Sequence, residues 1–364
     1  MDRRTLLTSV AALGAAALTG CARDDEPRPT PSRRTLEPSA TASDDWSGLE
    51  IAGTVATGLN VPWGFAFLAD GSALVSQRDD ASVVRIAPGG GVSDLGRVPG
   101  LRTGGEAGLL GIALDPDDEN VLFAYVTTGS DNRVVRMSLD GGRLGDPDPV
   151  LTGIPVGGRH HGGRLLFAPD ATLFVATGDA GNGAVAQDRG ALGGKILRIT
   201  RDGRAADDNP FDNRTWSYGH RNIEGLAFDA DGRLWASEFG EKSADELNLI
   251  QRGGNHGWPQ VEGEGGGSDV VQPKRTWATS DCSPAGLAIA RSTAFLGALQ
   301  GECVWAVPLD GVSAGEPKRF LEGHGRIRNV VVAPDTSLWV STSNTDGRAT
   351  PKRDDDRIVR VTFT

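Results

Sequence analysis

A short β module recurs six times between Leu49 and the C-terminus, and this repetition constrains the fold more than any other property of the chain. The copies read "WGFAFLADGSALVSQ", "LLGIALDPDDENVLFAYV", "GRLLFAPDATLFVATGD", "IEGLAFDADGRLWASEFG", "PAGLAIARSTAFLGAL" and "IRNVVVAPDTSLWVSTSN". Each is a small apolar strand, a turn and a second strand. Most are followed by a third, such as "SVVRIAP", "RVVRMSL", "KILRITRDG", "CVWAVPL" or "RIVRVTF". Units spaced by roughly 45 to 60 residues match the blades of a propeller. The sequence therefore predicts an all-β fold, a six-bladed β-propeller spanning residues 49–364. A β-sandwich uses similar strands but does not repeat its sequence at this period. The last copy lacks a fourth strand after "RIVRVTFT", while an unassigned strand, "LEIAGTVATG", precedes the first copy. The expectation is that this N-terminal strand pairs with the last blade and closes the ring.

Composition agrees with a turn-rich β fold, since 51 glycines and 20 prolines recur between the apolar runs. The net charge of -11 argues against a nucleic-acid partner, which calls for a basic face. Residues 1–21, "MDRRTLLTSVAALGAAALTGC", carry paired arginines and an apolar stretch too short to span a bilayer comfortably, then small residues before Cys21. They resemble a bacterial lipoprotein signal ending in the lipobox "LTGC", and the paired arginines suggest twin-arginine export. The alternative is an ordinary secretory signal with Cys21 incidental. The expected location is the outer face of the cytoplasmic membrane, with Cys21 lipidated. Residues 22–48 are poor in apolar side chains and are expected to form a flexible Pro/Ser/Thr/Asp tether. The remaining cysteines, Cys282 and Cys303, lie near strand ends of one repeat in a chain expected to be exported. A disulfide between them is expected, with two free buried thiols as the alternative.

In a propeller the first strand of each blade lines the central channel, so the residues just before it gather at one mouth. Those positions hold Trp63, Glu106, His160 with His161, Arg221 with Asn222, Ser283, and Arg326 with Arg328. The second strand runs back, so its end brings Asp179 and Glu238 to the same opening. Only five histidines occur in the chain, and two of them stand at one strand start. His160 can accept a proton near neutral pH, and Asp179 can orient its ring and stabilise the imidazolium. His161 reads as a neighbour that packs or faces solvent. Arg221, Arg326 and Arg328 suit an anionic, planar ligand, because guanidinium forks match carboxylates. No nucleophile elbow, phosphate-binding loop or thiolate metal cluster is present in the sequence.

The stretches "HHGGRLLFAPDATLFVATGD", "LGGKILRITRDG", "DNPF", "YGHRNIEGLAF", "DELNLIQRGGNHGWP" and "GRIRNVVVAPDTSLWV" resemble the soluble quinoprotein sugar dehydrogenases. These are the glucose/sorbosone and aldose dehydrogenases that use pyrroloquinoline quinone, and the likeness runs from about Thr54 to the C-terminus. It implies a six-bladed propeller with the quinone and Ca²⁺ at the channel mouth. It implies that His160 is the general base, Asp179 its orienting partner, and Arg221 and Asn222 contacts of the quinone that polarise its reacting carbonyl. Arg326 and Arg328 would clamp quinone carboxylates. Main-chain oxygens of Gly240 and Glu241 would hold the cofactor Ca²⁺, and Glu246 with the His256 carbonyl a second Ca²⁺, hard oxygen donors being what that ion requires. Two positions depart from the family pattern. Glu106 stands where a glutamine is usual, and Gln300 where a lysine commonly contacts the quinone, so weaker quinone binding is expected.

The resemblance thus implies an aldose sugar dehydrogenase with an electron acceptor the sequence does not identify. Two other readings stand beside it: a non-catalytic carbohydrate-binding propeller on a lipid tether, and a calcium-dependent lactonase on the same architecture. The lactonase would need side-chain carboxylates around one metal, whereas the mouth is richer in arginine.

Overall fold

The computed structural model describes residues 48–364. The expected signal segment, the Cys21 lipidation site and the tether up to residue 47 lie outside the described residues. The strands form six antiparallel sheets, each a blade, the first five built in chain order from the centre outward. Their inner strands are Pro62–Phe67, Leu109–Leu114, Gly162–Phe167, Ile223–Phe228, Pro284–Ala290 and Ile327–Val332. These strands pack side by side in ring order, and that of the sixth blade meets that of the first. In the sixth blade the outermost strand is Leu49–Ala56, paired antiparallel with Ile358–Phe363, so both ends of the repeat region share one sheet.

Burial explains why the repeats are apolar on both strand faces. Six clusters of buried side chains each bridge two neighbouring blades. Leu74 and Val83 of the first blade meet Leu122 and Val135 of the second, and the series ends where Trp339 and Ile358 of the sixth meet Val75 and Ile86 of the first. A blade covered on both faces needs near-continuous hydrophobic strands, which is what the repeats supply. Close approach of the inner strands also requires small residues. A Cβ built on Gly286 would lie 1.8 Å from Oδ1 of Asn329 on the next blade, and Asn329 reaches on to donate from Nδ2 to the Trp63 carbonyl at 2.9 Å.

Every inner strand also shows a register shift against its partner within its first residues: between Pro62 and Phe65, Leu109 and Ile112, Gly162 and Leu165, Ile223 and Gly225, Pro284 and Leu287, and Ile327 and Asn329. A bulge of this kind bends the strand and re-aims its side chains. Here it occurs six times at the same end of the ring.

The fifth blade corrects one expectation. Cys282 and Cys303 are free, fully buried thiols in one apolar cluster with Trp277, Leu287 and Leu296. They pack there as small hydrophobes, and burial raises both thiols above their ordinary range, Cys303 to about 11.

Candidate active site

His160 occupies the bulged entry to the third blade with φ at +58°. That left-handed backbone turns its N–H onto Glu106 Oε2 at 2.6 Å, while its carbonyl accepts from Ala180 N at 3.2 Å. The return strand makes room for this path, because a Cβ on Gly178 would fall 1.9 Å from the His160 carbonyl oxygen. His160 Nδ1 lies 2.6 Å from Asp179 Oδ1. The other Asp179 oxygen accepts the indole N–H of Trp258 at 2.8 Å, and Gly181 N donates to Oδ1 at 2.7 Å. Burial pushes the Asp179 carboxyl up, but the hydrogen bond and charge of His160 and the Gly181 and Trp258 donors outweigh it and hold the group below its ordinary value. An ionised Asp179 requires the proton of a neutral imidazole on Nδ1, which leaves the Nε2 lone pair as the basic site.

His161, one residue on, has the opposite environment. Its Nδ1 lies 3.0 Å from Asn132 Oδ1, its carbonyl accepts from Tyr125 Oη at 2.8 Å, and its Nε2 is buried without a partner. Burial lowers His161 to about 4, so it is neutral at physiological pH.

An open cavity of about 290 Å³ lies at this end of the ring, lined by Glu106, His160, Arg221, Asn222, Gln300, Arg326 and Arg328 among others. All the residues expected to contact a cofactor therefore meet there. Arg221 is buried, with its side chain 5.5 Å from the Trp258 ring, its Nη1 donating to the Phe239 carbonyl at 3.3 Å and Glu241 at 3.8 Å. Asn222 Oδ1 accepts from Gly162 N at 2.9 Å, which ties the third and fourth blades together at the mouth. Arg326 Nε donates to Asp346 Oδ2 at 3.0 Å, and Arg328 Nη1 donates to Glu224 Oε2 at 2.5 Å. Burial raises the Glu224 carboxyl against the pull of Arg328. Arg326 and Arg328 hold Asp346 below its ordinary value despite burial.

Gly240 also lines the cavity. Its loop is pinned from behind by Glu262, whose Oε1 accepts N–H bonds from Glu241, Lys242 and Ser243 at 2.6, 2.7 and 2.8 Å. Burial opposes ionisation of Glu262, yet these donors bring it down to about 2. Asp245 ties the same loop to the fifth blade, accepting from Gly240 N at 2.8 Å and Ser283 N at 2.6 Å. Glu246 and His256 are buried and do not line the cavity. Glu246 accepts from Asn248 Nδ2 and Gly263 N, and the His256 ring stacks on His220 at 4.4 Å. Glu238 and Trp63 are likewise buried outside the cavity: Glu238 Oε1 accepts Arg221 N at 2.5 Å, and the Arg164 guanidinium sits 4.2 Å over the Trp63 ring.

The model of the family described as "Glucose / Sorbosone dehydrogenase" matches residues 59–351. This chain belongs to the glucose/sorbosone dehydrogenase family. It is similar to the PQQ-bound form of an aldose sugar dehydrogenase from Streptomyces coelicolor, 49% identical over 86% of this chain and 97% of that chain with a TM-score of 0.84. A glucose dehydrogenase-like oxidoreductase of Thermus thermophilus is 38% identical, with a TM-score of 0.82 over 86% of this chain and 100% of its own. An aldose sugar dehydrogenase of Escherichia coli is 32% identical over 79% of this chain and 89% of its length.

This glucose/sorbosone dehydrogenase carries a donor set that fits an anionic, planar group. Nε atoms of both Arg221 and Arg328 are buried without a hydrogen-bond partner, and five arginines line one cavity. For Ca²⁺ the donors would be carbonyl oxygens. Among the described residues no group of three or more His, Cys, Asp or Glu side chains is arranged to hold a metal ion, and Gly240, whose backbone carries a hard carbonyl oxygen, lines the cavity. Reasoning from strand starts missed Arg159, Glu224, Asp346, Arg348 and the Trp258 indole. A lone carboxylate inside the apolar run "IEGLAF" was the available signal for Glu224.

Proposed function

We propose that this sugar dehydrogenase oxidises aldoses at the anomeric carbon with pyrroloquinoline quinone as its cofactor and His160 as the general base. The observation that carries this reading is the 2.6 Å contact of His160 Nδ1 with a buried carboxylate of Asp179 at the edge of an arginine-lined cavity. A base in that arrangement presents Nε2 to a sugar hydroxyl, takes its proton, and becomes an imidazolium that Asp179 stabilises. Bound at the mouth, the quinone supplies a two-electron acceptor for the hydride. Arg326 and Arg328 would hold its carboxylates, with Glu106, Gln300, Arg221 and Asn222 around it. Burial of Arg221 strengthens any charge-assisted bond it donates. Ca²⁺, if bound, would be held by carbonyls of Gly240 and Glu241, with Glu246 and the His256 carbonyl as the second proposed position. The family match and the 49% identity to a PQQ-bound relative support the reading.

Reconstitution of the purified protein with quinone and Ca²⁺, followed by dye reduction across a panel of aldoses, tests it. Turnover of at least one aldose that requires the quinone is expected. Sugar binding without turnover would instead favour a carbohydrate-binding propeller. Export and lipidation at Cys21 are part of the same proposal. They predict a labelled lipid on the membrane-associated protein that Cys21→Ser abolishes.

A further inference from the structure

The five arginines lining the cavity are not equivalent. Arg326 and Arg328 are buried and committed, the first to Asp346 at 3.0 Å and the second to Glu224 at 2.5 Å. Arg221 is buried beside Glu241. Arg159 shares that same Glu241, at 3.6 Å. Arg159 is half exposed, at 53%, and Arg348 resembles it in exposure but differs from all four in its anchoring. Its side chain is half exposed, at 51%, and its nearest carboxylate is Glu106 Oε1 at 3.7 Å, too long for a hydrogen bond. Glu106 is itself occupied, since its other oxygen takes the His160 N–H. Yet Arg348 is not a random surface residue. Its backbone N–H donates to Asp346 Oδ1 at 2.9 Å, and Asp346 Oδ2 holds Arg326. One buried carboxylate therefore sets the Arg348 guanidinium beside the Arg326 and Arg328 wall. The neighbouring fifth blade lines the cavity with Ser283, Leu299 and Gln300, none of them charged.

We infer that Arg348 is a specificity-determining binding residue of this cavity, its charge free to pair with an outward-facing carboxylate of the anionic cofactor beside the Arg326 and Arg328 wall. The inference rests on the quinone reading given above and names a residue that reading does not require. On binding, Arg348 swings from its long contact with Glu106 onto the ligand carboxylate, and the ligand covers a side chain that water now screens. A charged hydrogen bond at a site closed by its own ligand is worth about tenfold or more in affinity. Because Arg348 stands at the rim, it also steers association, a contribution that salt suppresses.

The test is equilibrium binding of pyrroloquinoline quinone to the Ca²⁺-loaded protein, measured at low and high salt, with no turnover required. Arg348→Gln is expected to weaken binding about tenfold at low salt and to flatten its salt dependence, with Arg348→Lys keeping most of the affinity. Arg353→Gln removes an exposed charge from the same loop and is expected to change neither. Adding Gln300→Lys to Arg348→Gln is expected to restore part of the loss by supplying charge from the fifth blade. Wild-type binding with Arg348→Gln unchanged, or with Arg353→Gln equally impaired, overturns this inference and leaves the quinone reading intact. Absence of quinone binding by the wild type overturns both.

Discussion

On the rim away from the cavity, Asp70, Asp170 and Asp335 each close the turn between the first two strands of a blade. They accept the N–H two residues on at 2.9 to 3.0 Å and pair with Arg85, Arg198 and Arg360 of the third strand. At the mouth, Glu224 and Asp346 pair with Arg328 and Arg326. The chemistry is the same and the surroundings are not. Carboxylates of the far rim are about half exposed, whereas those of the mouth are at most 8% exposed. Exposed pairs are screened and contribute little. Buried ones are costly to break because the partner left behind keeps an uncompensated charge. The repeated pairs reinforce turns; the unrepeated ones shape the cavity.

That contrast breaks most visibly through function. His160→Ala should lower kcat by a factor of about 10² to 10⁴, as loss of a positioned base does, with an unchanged unfolding transition. Steady-state kinetics beside urea denaturation would check it. If His161→Ala proves the more damaging to turnover, the roles of the two histidines are reversed. In stability the largest change is expected for Glu224→Ala, which leaves Arg328 with Asp346 only at 3.9 Å and should cost about 3 to 5 kcal/mol, read from the denaturation midpoint of the cofactor-free protein. A cost below about 1 kcal/mol would mean that water already compensates that pair.

His161 sharpens the comparison through pH. Its folded pKa of about 4 lies below the ordinary 6.5, so the unfolded chain takes up a proton first as the solution is acidified. The stability owed to the neutral ring is complete above pH 6.5 and drains away as pH falls toward 4. His161→Gln should flatten part of that slope, measured as melting temperature against pH; an unaltered slope would assign it to other groups. Smallest of all, Arg360→Ala on the far rim should change stability by less than about 1 kcal/mol. A loss comparable to that of Glu224→Ala would erase the distinction between the rims.

Much of this was legible because repetition carries two kinds of information. The apolar copies specify blades, and the same register marks the strand starts, which is how His160, Asp179, Arg221, Asn222 and the Arg326/Arg328 pair could be placed at one mouth. What escaped lies where register is silent. Glu224 sits within an inner strand, and nothing local says that its carboxylate turns to the channel. Asp346 and Arg348 belong to "NTDGR", which reads as an ordinary turn. Trp258 reaches Asp179 from a loop 79 residues away, and no periodicity links the two. The thiols of Cys282 and Cys303 misled because proximity to strand ends says nothing about whether a site is filled by packing.

The six shifted strand starts have a consequence for how such a protein changes over time. Many residues that face the cavity, such as His160, Arg221 and Arg326, precede the regular ladder, and Glu224 and Arg328 fall within the shifted segment, so the backbone ladder downstream does not depend on their identity. Replacing one alters what the cavity recognises while the interlocked hydrophobic layers downstream stay as they were. The ring is in effect a holder with interchangeable sockets at its strand starts, in which the third now carries a base and the fourth and sixth carry guanidinium groups. New specificity can arise one socket at a time without the fold being solved again.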